Sequence, residues 1–185
     1  MKNHLLVAIR MTIVLLILVS GIYPVAVWAV GQLVFSHQAN GSLITRNGKV
    51  IGSELIGQNF ASDRFFHPRP SAAGKDGYDP TASGGTNLGP TSQKLRDAIA
   101  AAVCRRRDVP ADEVTTSASG VDPHISPANA YDQAARVARV NHLSDAEVRS
   151  LIQRHTEDRF LGIYGEPRVN VLALNLELLK IAEAH

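Results

Sequence analysis

The sequence predicts an α+β (or mixed α/β) domain held by one N-terminal transmembrane helix, and three observations carry that expectation. Met11 to Phe35 form an uncharged, strongly apolar run. An Asn-Gly pair sits between two short β-prone segments, and helix-capping signals recur further along the chain. The organisation expected is residues 1–35 as a membrane anchor, crossing at about 11–33, and residues 36–185 as an extracytoplasmic domain.

At about 1.5 Å per residue, the uncharged run covers roughly 37 Å, enough to cross a hydrocarbon core of about 30 Å with some tilt. Lys2, Arg10 and the N-terminal amine flank one end, whereas the first basic residue after the run is Arg46. The positive flank is expected to stay inside, which places the domain across the membrane from the cytoplasm. A cleaved signal peptide is the competing reading, with Val27 and Ala29 before a cut, but the run is longer than an ordinary h-region. Ser20, Pro24, Val27 and Gly31 fall near one helical face, a packing seam where another membrane helix could approach closely. Trp28 is expected near the outer interface.

Past the anchor, Ser42–Thr45 and Lys49–Ser53 flank Arg46-Asn47-Gly48, a sequence suited to the positive φ angles of a tight hairpin. Residues 61–91 are dense in Pro, Gly, Ser and Asn without periodicity, and read as a long ordered loop. Thr91 or Ser92 is expected to cap a helix with the apolar stripe Leu95, Ile99 and Val103, ending at Asp108-Val109-Pro110. Arg105-Arg106-Arg107 reads as its solvated last turn and Cys104 as a buried, inert thiol. Val114–Ser119 reads as a strand. Ser126 and Pro127 open a second helix whose Ala130, Ala134, Val137 and Ala138 face inward, and the Ser144–Glu147 capping box opens a third. The Val171–Ile181 stretch is expected to be helical in its second half, with a strand possible at its start.

Charge excludes one function class. All 17 acidic residues lie beyond position 35, as do all but Lys2 and Arg10 of the 19 basic ones, so the domain is near neutral and nucleic acid is not an expected partner. A single cysteine precludes an internal disulfide. No catalytic residue and no metal site is expected. Asp122, His124 and Ser126 hold the ingredients of a hydrolase triad, but alternate residues of an extended segment lie side by side rather than in relay. His67 has no ligand partner at metal-site spacing, and Ser83–Pro90 lacks the Gly-Lys-Ser/Thr ending of a phosphate loop.

Six blocks in order do match a known family: Gln38–Ile44, Gly52-Ser53 with Leu55–Gln58, Phe66–Ser71, Ser83–Leu88, Ser119–Pro127 and Gly165–Val171. Together with Tyr23-Pro24 they resemble KdpC, a component of the bacterial potassium-transporting ATPase, over almost the whole chain. The resemblance implies an accessory, non-catalytic subunit in the bacterial inner membrane. Its implied partners are the channel-like, potassium-selecting KdpA, the phosphorylated P-type ATPase KdpB and the small KdpF. In agreement, the Asp-Lys-Thr-Gly-Thr motif of P-type ATPases is missing. The resemblance also implies raised ATP affinity in KdpB, with a glutamine proposed to meet the nucleotide; Gln32 and Gln58 are the candidates here. His67, Arg69, Ser71, Asn87, Asp122, His124, Arg168 and Asn170, in the matching loops, are expected to be structural or to contact other subunits. Potassium is the implied cargo, ATP is implied only through KdpB, and membrane lipid surrounds the anchor. The alternative class is a stand-alone membrane-anchored periplasmic binding protein or enzyme.

Overall fold

The structure, a computed structural model, describes residues 2–104 and 108–184, so the Arg105-Arg106-Arg107 expectation lies outside the described residues. The chain divides into two compact units, Met1–Leu43 and Ile44–His185.

The first unit is one long apolar helix from Lys2 to Val34 followed by a single turn. It starts nine residues before the uncharged run expected to cross, because Lys2, Arg10 and the residues between them are compatible with a continuous helix. Its ladder is α-helical in α1 (Lys2–Leu15) and α2 (Tyr23–Val34), with a π-helical segment at Leu16–Ile22 between them and the turn α3 at Ser36–Ala39. Pro24 accounts for the π segment. It has no N–H to offer the carbonyl one turn back, so the ladder loosens there, and the Tyr23 N–H reaches to the Leu18 carbonyl, five residues away.

In the second unit, β1 (Leu43–Arg46) and β2 (Lys49–Ser53) form the expected two-stranded ribbon. Asn47 and Gly48 take φ of 53° and 75° at its turn. A three-stranded antiparallel sheet is ordered β3-β5-β4, from His124–Ile125, Arg168–Asn170 and Thr156–Glu157. Its register pairs Ile125 with Val169 and Thr156 with Val169. Helices α4 (Gln93–Val103), α5 (Ala111–Val114), α6 (Pro127–Val140), α7 (Asp145–Arg154) and α8 (Val171–Ala184) complete it. The mixed helix-and-sheet class with one N-terminal apolar helix is as expected.

The core lies where α6, α7 and α8 pack over β5: Ala134, Val137, Val148, Leu151, Ile152, Val169, Leu174 and Leu178, together with Phe66 from the long loop. Burying each large side chain contributes about 1.5–3 kcal/mol. The small α6 residues let that helix approach α7 closely. Of the caps read from sequence, those at Ser126 and Ser144 form. Ser126 Oγ accepts from the Asn129 N–H at 3.1 Å, and Ser144 and Glu147 form a reciprocal capping box.

Phe66 reaches the centre of the core because the backbone on either side of it, residues 63–67, is hydrogen-bonded to side chains of α6 and α8 and to Asn141. Buried backbone must be paired, and here side-chain amides replace a neighbouring strand. Asn175 of α8 accepts the Phe66 N–H at 2.8 Å and donates to its carbonyl at 3.0 Å. Gln133 of α6 does the same for His67, accepting at 2.7 Å and donating at 3.0 Å. Arg136 donates to the carbonyls of Asp63 and Phe65, and Asn141 to that of Arg64. These bonds hold residues 63–67 of the Pro/Gly-rich segment, which also carries a single 3-10 turn at Pro80–Ala82.

Three sequence expectations are corrected. Residues 115–119 are not a strand: the Ser117 N–H bonds the Pro70 carbonyl, and Ser119 receives bonds from the 83–84 loop, so their backbone is spent on loops rather than a ladder. Cys104 is exposed, because α4 half-buries Leu95 but carries Ile99 and Val103 in the open. Helix α8 fills Val171–Ala184 rather than the second half of the stretch, since Asn170 Oδ1 accepts the Ala173 N–H at 3.1 Å and starts the helix at once. Of Asp122, His124 and Ser126, the first two meet, with His124 Nδ1 at 3.6 Å from Asp122 Oδ1, whereas Ser126 Oγ donates to Asp112 Oδ1 at 2.9 Å.

Candidate subunit-contact cleft

Two loops and the β5 approach meet in an open cleft of about 380 Å³ lined by Arg69, Asp112, Asp122, His124, Ser126, Glu166 and Arg168. Four of these, Arg69, Asp122, His124 and Arg168, are among the loop residues singled out from sequence. Asp122 is the centre. It accepts from Arg69 Nη1 at 3.2 Å through one oxygen and from the His124 backbone N–H at 3.0 Å through the other, with His124 Nδ1 at 3.6 Å. Burial acts to raise its pKa, but the hydrogen bonds from His124 and the Arg69 charge outweigh burial and hold it below the ordinary carboxylate value. Arg69 also donates to Thr115 Oγ1 at 3.4 Å, while its buried Nε finds no acceptor among the described residues.

Tyr78 braces the same arginine from behind, its hydroxyl donating to the Arg69 carbonyl. Burial first, and then the Asp122 charge, push the Tyr78 phenol up to about 12. Ser71 ties this layer together: Oγ donates to the Gly120 carbonyl at 2.6 Å and accepts the Tyr78 N–H at 2.9 Å. On the opposite rim, Asp112 accepts from the Ser126 N–H at 2.7 Å and from Asn129 Nδ2 at 3.1 Å. Arg168 reaches out of the cleft to Glu157 Oε2 at 2.9 Å.

The remaining sequence candidates lie elsewhere. His67 has its backbone held by Gln133, and its ring contacts the Ser62 carbonyl at 3.2 Å; burial, then Arg136, lower its pKa. Asn87 takes a left-handed φ of 51° and lines a separate shallow pocket with Thr86 and Leu95. Asn170 donates to the Glu54 carbonyl at 2.8 Å. Gln58 donates its amide to the Ile51 carbonyl at 2.8 Å, closing the ribbon back on itself. In the first unit, Gln32 Oε1 accepts from Asn40 Nδ2 at 3.1 Å. Of the helical seam, Ser20 lines a groove along the π segment with Leu16, Gly21, Val25 and Ala29, whereas Pro24, Val27 and Gly31 do not line it.

Chemically the cleft offers shape and fixed charge. Its one serine is committed to capping and to Asp112, and among the described residues no three His, Cys, Asp or Glu side chains are grouped to hold a metal ion. Sequence reasoning missed Asp112, Tyr78, Gln133 and Asn175. Gln133 and Asn175 act across 66 and 109 positions, Asp112 across 14 and Tyr78 across nine, and only Pro110-Ala111-Asp112, a turn followed by an acid in a first helical turn, carries any local signal.

A family model described as "KdpC: K+-transporting ATPase, c chain" matches residues 5–180. The chain belongs to the KdpC family. Relatives named "Potassium-transporting ATPase KdpC subunit" agree at the level of whole chains. The one from Koribacter versatilis is 50% identical over 184 residues, covering 96% of this chain and 95% of the relative. The one from Allorhizobium ampelinum is 51% identical, with 96% of each chain covered. That from Gemmatimonas aurantiaca is 52% identical, with 96% and 93% covered. The KdpC match includes most of the apolar helix as well as the cleft, so the two belong to the family as one unit of sequence.

The Asp122 cluster gives a pH dependence with a definite sign. A carboxyl whose folded pKa lies below its unfolded value near 4 contributes stability that is fully present above about pH 4 and is lost as pH falls through the folded value. The wild-type unfolding midpoint should therefore drop more between about pH 5 and pH 2 than that of Asp122→Asn, which has no such proton to take up. Parallel midpoint curves would remove the charge role assigned to Asp122.

Proposed function

We propose that this chain is the membrane-anchored accessory subunit of an ATP-driven potassium uptake complex, without catalytic groups of its own. The carrying observation is the match of residues 5–180 to the KdpC family together with the 33-residue apolar helix at Lys2–Val34. The positive N-terminal flank puts the short N-terminus in the cytoplasm and the domain in the periplasm of an inner membrane. Its partners on this reading are the channel-like KdpA, the ATPase KdpB and the small KdpF.

ATP is on the other side of that membrane from Gln58, whose amide is already bonded to the Ile51 carbonyl. An effect of this chain on ATP affinity is then a coupling free energy passed through membrane helices, not a nucleotide contact by Gln58 or Gln32. The domain stands near the potassium entrance of KdpA, where its carboxylates raise the local cation concentration. Neutralising exposed acidic residues in groups should weaken the apparent potassium affinity of the assembled complex, and unchanged affinity across the whole set would dispose of the entrance role.

Co-purification in mild detergent tests the subunit reading: the full chain should carry larger membrane proteins with it. A domain fragment that bound or turned over a solute unaided would favour the stand-alone class instead. Topology has a built-in probe, since the only cysteine, Cys104, is exposed. A membrane-impermeant thiol reagent should label it in intact spheroplasts and spare it in sealed inverted vesicles; the reverse pattern places the domain inside.

A further inference from the structure

The most exposed apolar side chains of the domain are gathered on one hairpin tip that the cleft does not use. Phe160, Leu161, Ile163 and Tyr164 are 71%, 75%, 72% and 66% exposed. The turn is well formed: the Phe160 N–H donates to the Tyr164 carbonyl at 2.9 Å and the Tyr164 N–H returns to Phe160 at 3.0 Å. Leu161 and Gly162 at its apex have φ of 54° and 73°. Left-handed backbone is expected of Gly, Asn or Asp, and a leucine there gives up local preference while burying nothing within the domain. Such a departure, with no gain to the fold, points to a use outside it.

We propose that the Phe160–Tyr164 hairpin is a lipid-contacting tip that seats in the interfacial zone of a bilayer. The order of chemistry along the protrusion decides for lipid. Aliphatic Leu161 and Ile163 flank the apex, and aromatic Phe160 and Tyr164 form the bridge pair below them. Beneath these, the arginines are already neutralised, Arg159 by Glu166 at 2.7 Å and Arg168 by Glu157 at 2.9 Å. That sequence of aliphatic, aromatic and paired charge repeats the passage from hydrocarbon through the headgroup boundary to water. With Arg159 and Arg168 paired and exposed Asp158 beside them, the tip offers no unpaired cation to select an anionic lipid or an acidic partner. The covalent anchor does the rest: a domain joined to a membrane helix meets the bilayer at high effective concentration, so a small apolar tip suffices. The inference rests on the reading that Lys2–Val34 spans a membrane.

The full chain carrying Cys104→Ser and Ile163→Cys, labelled at position 163 with an environment-sensitive fluorophore, is reconstituted in phosphatidylcholine vesicles containing spin-labelled lipid. Quenching of roughly twofold is expected at 163, with none from the same label at Lys75→Cys, and with no change when anionic lipid replaces part of the phosphatidylcholine. Leu161→Asn, which suits the left-handed backbone better and so keeps the turn, should reduce the quenching. Co-flotation of the protein with the vesicles separates the two readings: protein that floats with an unquenched 163 label overturns the tip alone, and protein that fails to float overturns anchor and tip together. A label that is shielded only when the larger subunits are present, and never quenched by lipid, identifies a protein pocket as the occupant and overturns the proposal.

Discussion

Asn175→Leu is expected to destabilise the domain by about 3–5 kcal/mol, a large share of the 5–15 kcal/mol that holds an ordinary domain together. The replacement is close in size and apolar in a buried place, so packing volume is nearly kept and the loss is electrostatic in origin. It strands the Phe66 N–H and carbonyl, both of which now use Asn175, at 2.8 Å and 3.0 Å. Each orphaned buried group costs about 1–3 kcal/mol of desolvation. Relief would require Phe66, fully buried in the core, to move toward water. Asn175→Asp keeps the acceptor and removes the donor, and should fall between wild type and Asn175→Leu. Urea unfolding of the full chain in detergent, followed through the domain's circular dichroism, gives the ranking. A midpoint for Asn175→Leu within about 1 kcal/mol of wild type would mean that Phe66 is held by packing alone.

That residue also marks where sequence reasoning reached its limit. Elements specified within a few positions were legible: the Asn47-Gly48 turn, the Ser126 cap and the Ser144–Glu147 box all depend on neighbours three or fewer residues apart. The long apolar helix was legible because length and lack of charge are cumulative properties of one segment. What failed was whatever depends on a distant partner. Asn175 meets Phe66 across 109 positions, and inside α8 it reads as an ordinary polar residue in an apolar run. Residues 115–119 looked like a strand by composition, yet Ser117 found the Pro70 carbonyl rather than a parallel neighbour. The α4 stripe was periodic but is left uncovered within the described chain, so Cys104 came out exposed. The cleft was legible only as motif blocks. Arg69, Asp122 and His124 stand in two of those blocks, but the brace from Tyr78 had no signal beyond the fold itself, and Asp112 had only its place in the first turn of α5.

Gly120→Ala is the second large effect expected, and it tests whether the loops behind the cleft are one packed layer. Gly120 has φ of +72°, and a methyl group built there would come within 2.5 Å of the Ala73 Cβ, 2.7 Å of the Gly84 carbonyl oxygen and 3.0 Å of the Ala73 nitrogen. Two of those obstacles are backbone, and Ala73 is fully buried, so none can swing aside as a long side chain would. The Gly120 carbonyl must also stay where Ser71 Oγ donates to it at 2.6 Å, and Ser71 in turn holds the Tyr78 N–H that positions the brace on Arg69. Gly48→Ala supplies the reference: φ there is +75° with open space around the added carbon, so it carries the left-handed penalty alone, about 1 kcal/mol. Gly120→Ala should cost about 3–5 kcal/mol, the excess being the steric displacement of two loops. If the two variants lose equal stability, the 71–73, 84 and 117–120 segments are free to separate. The Arg69–Asp122 pair would then be fixed by its own 3.2 Å contact rather than by the layer beneath it.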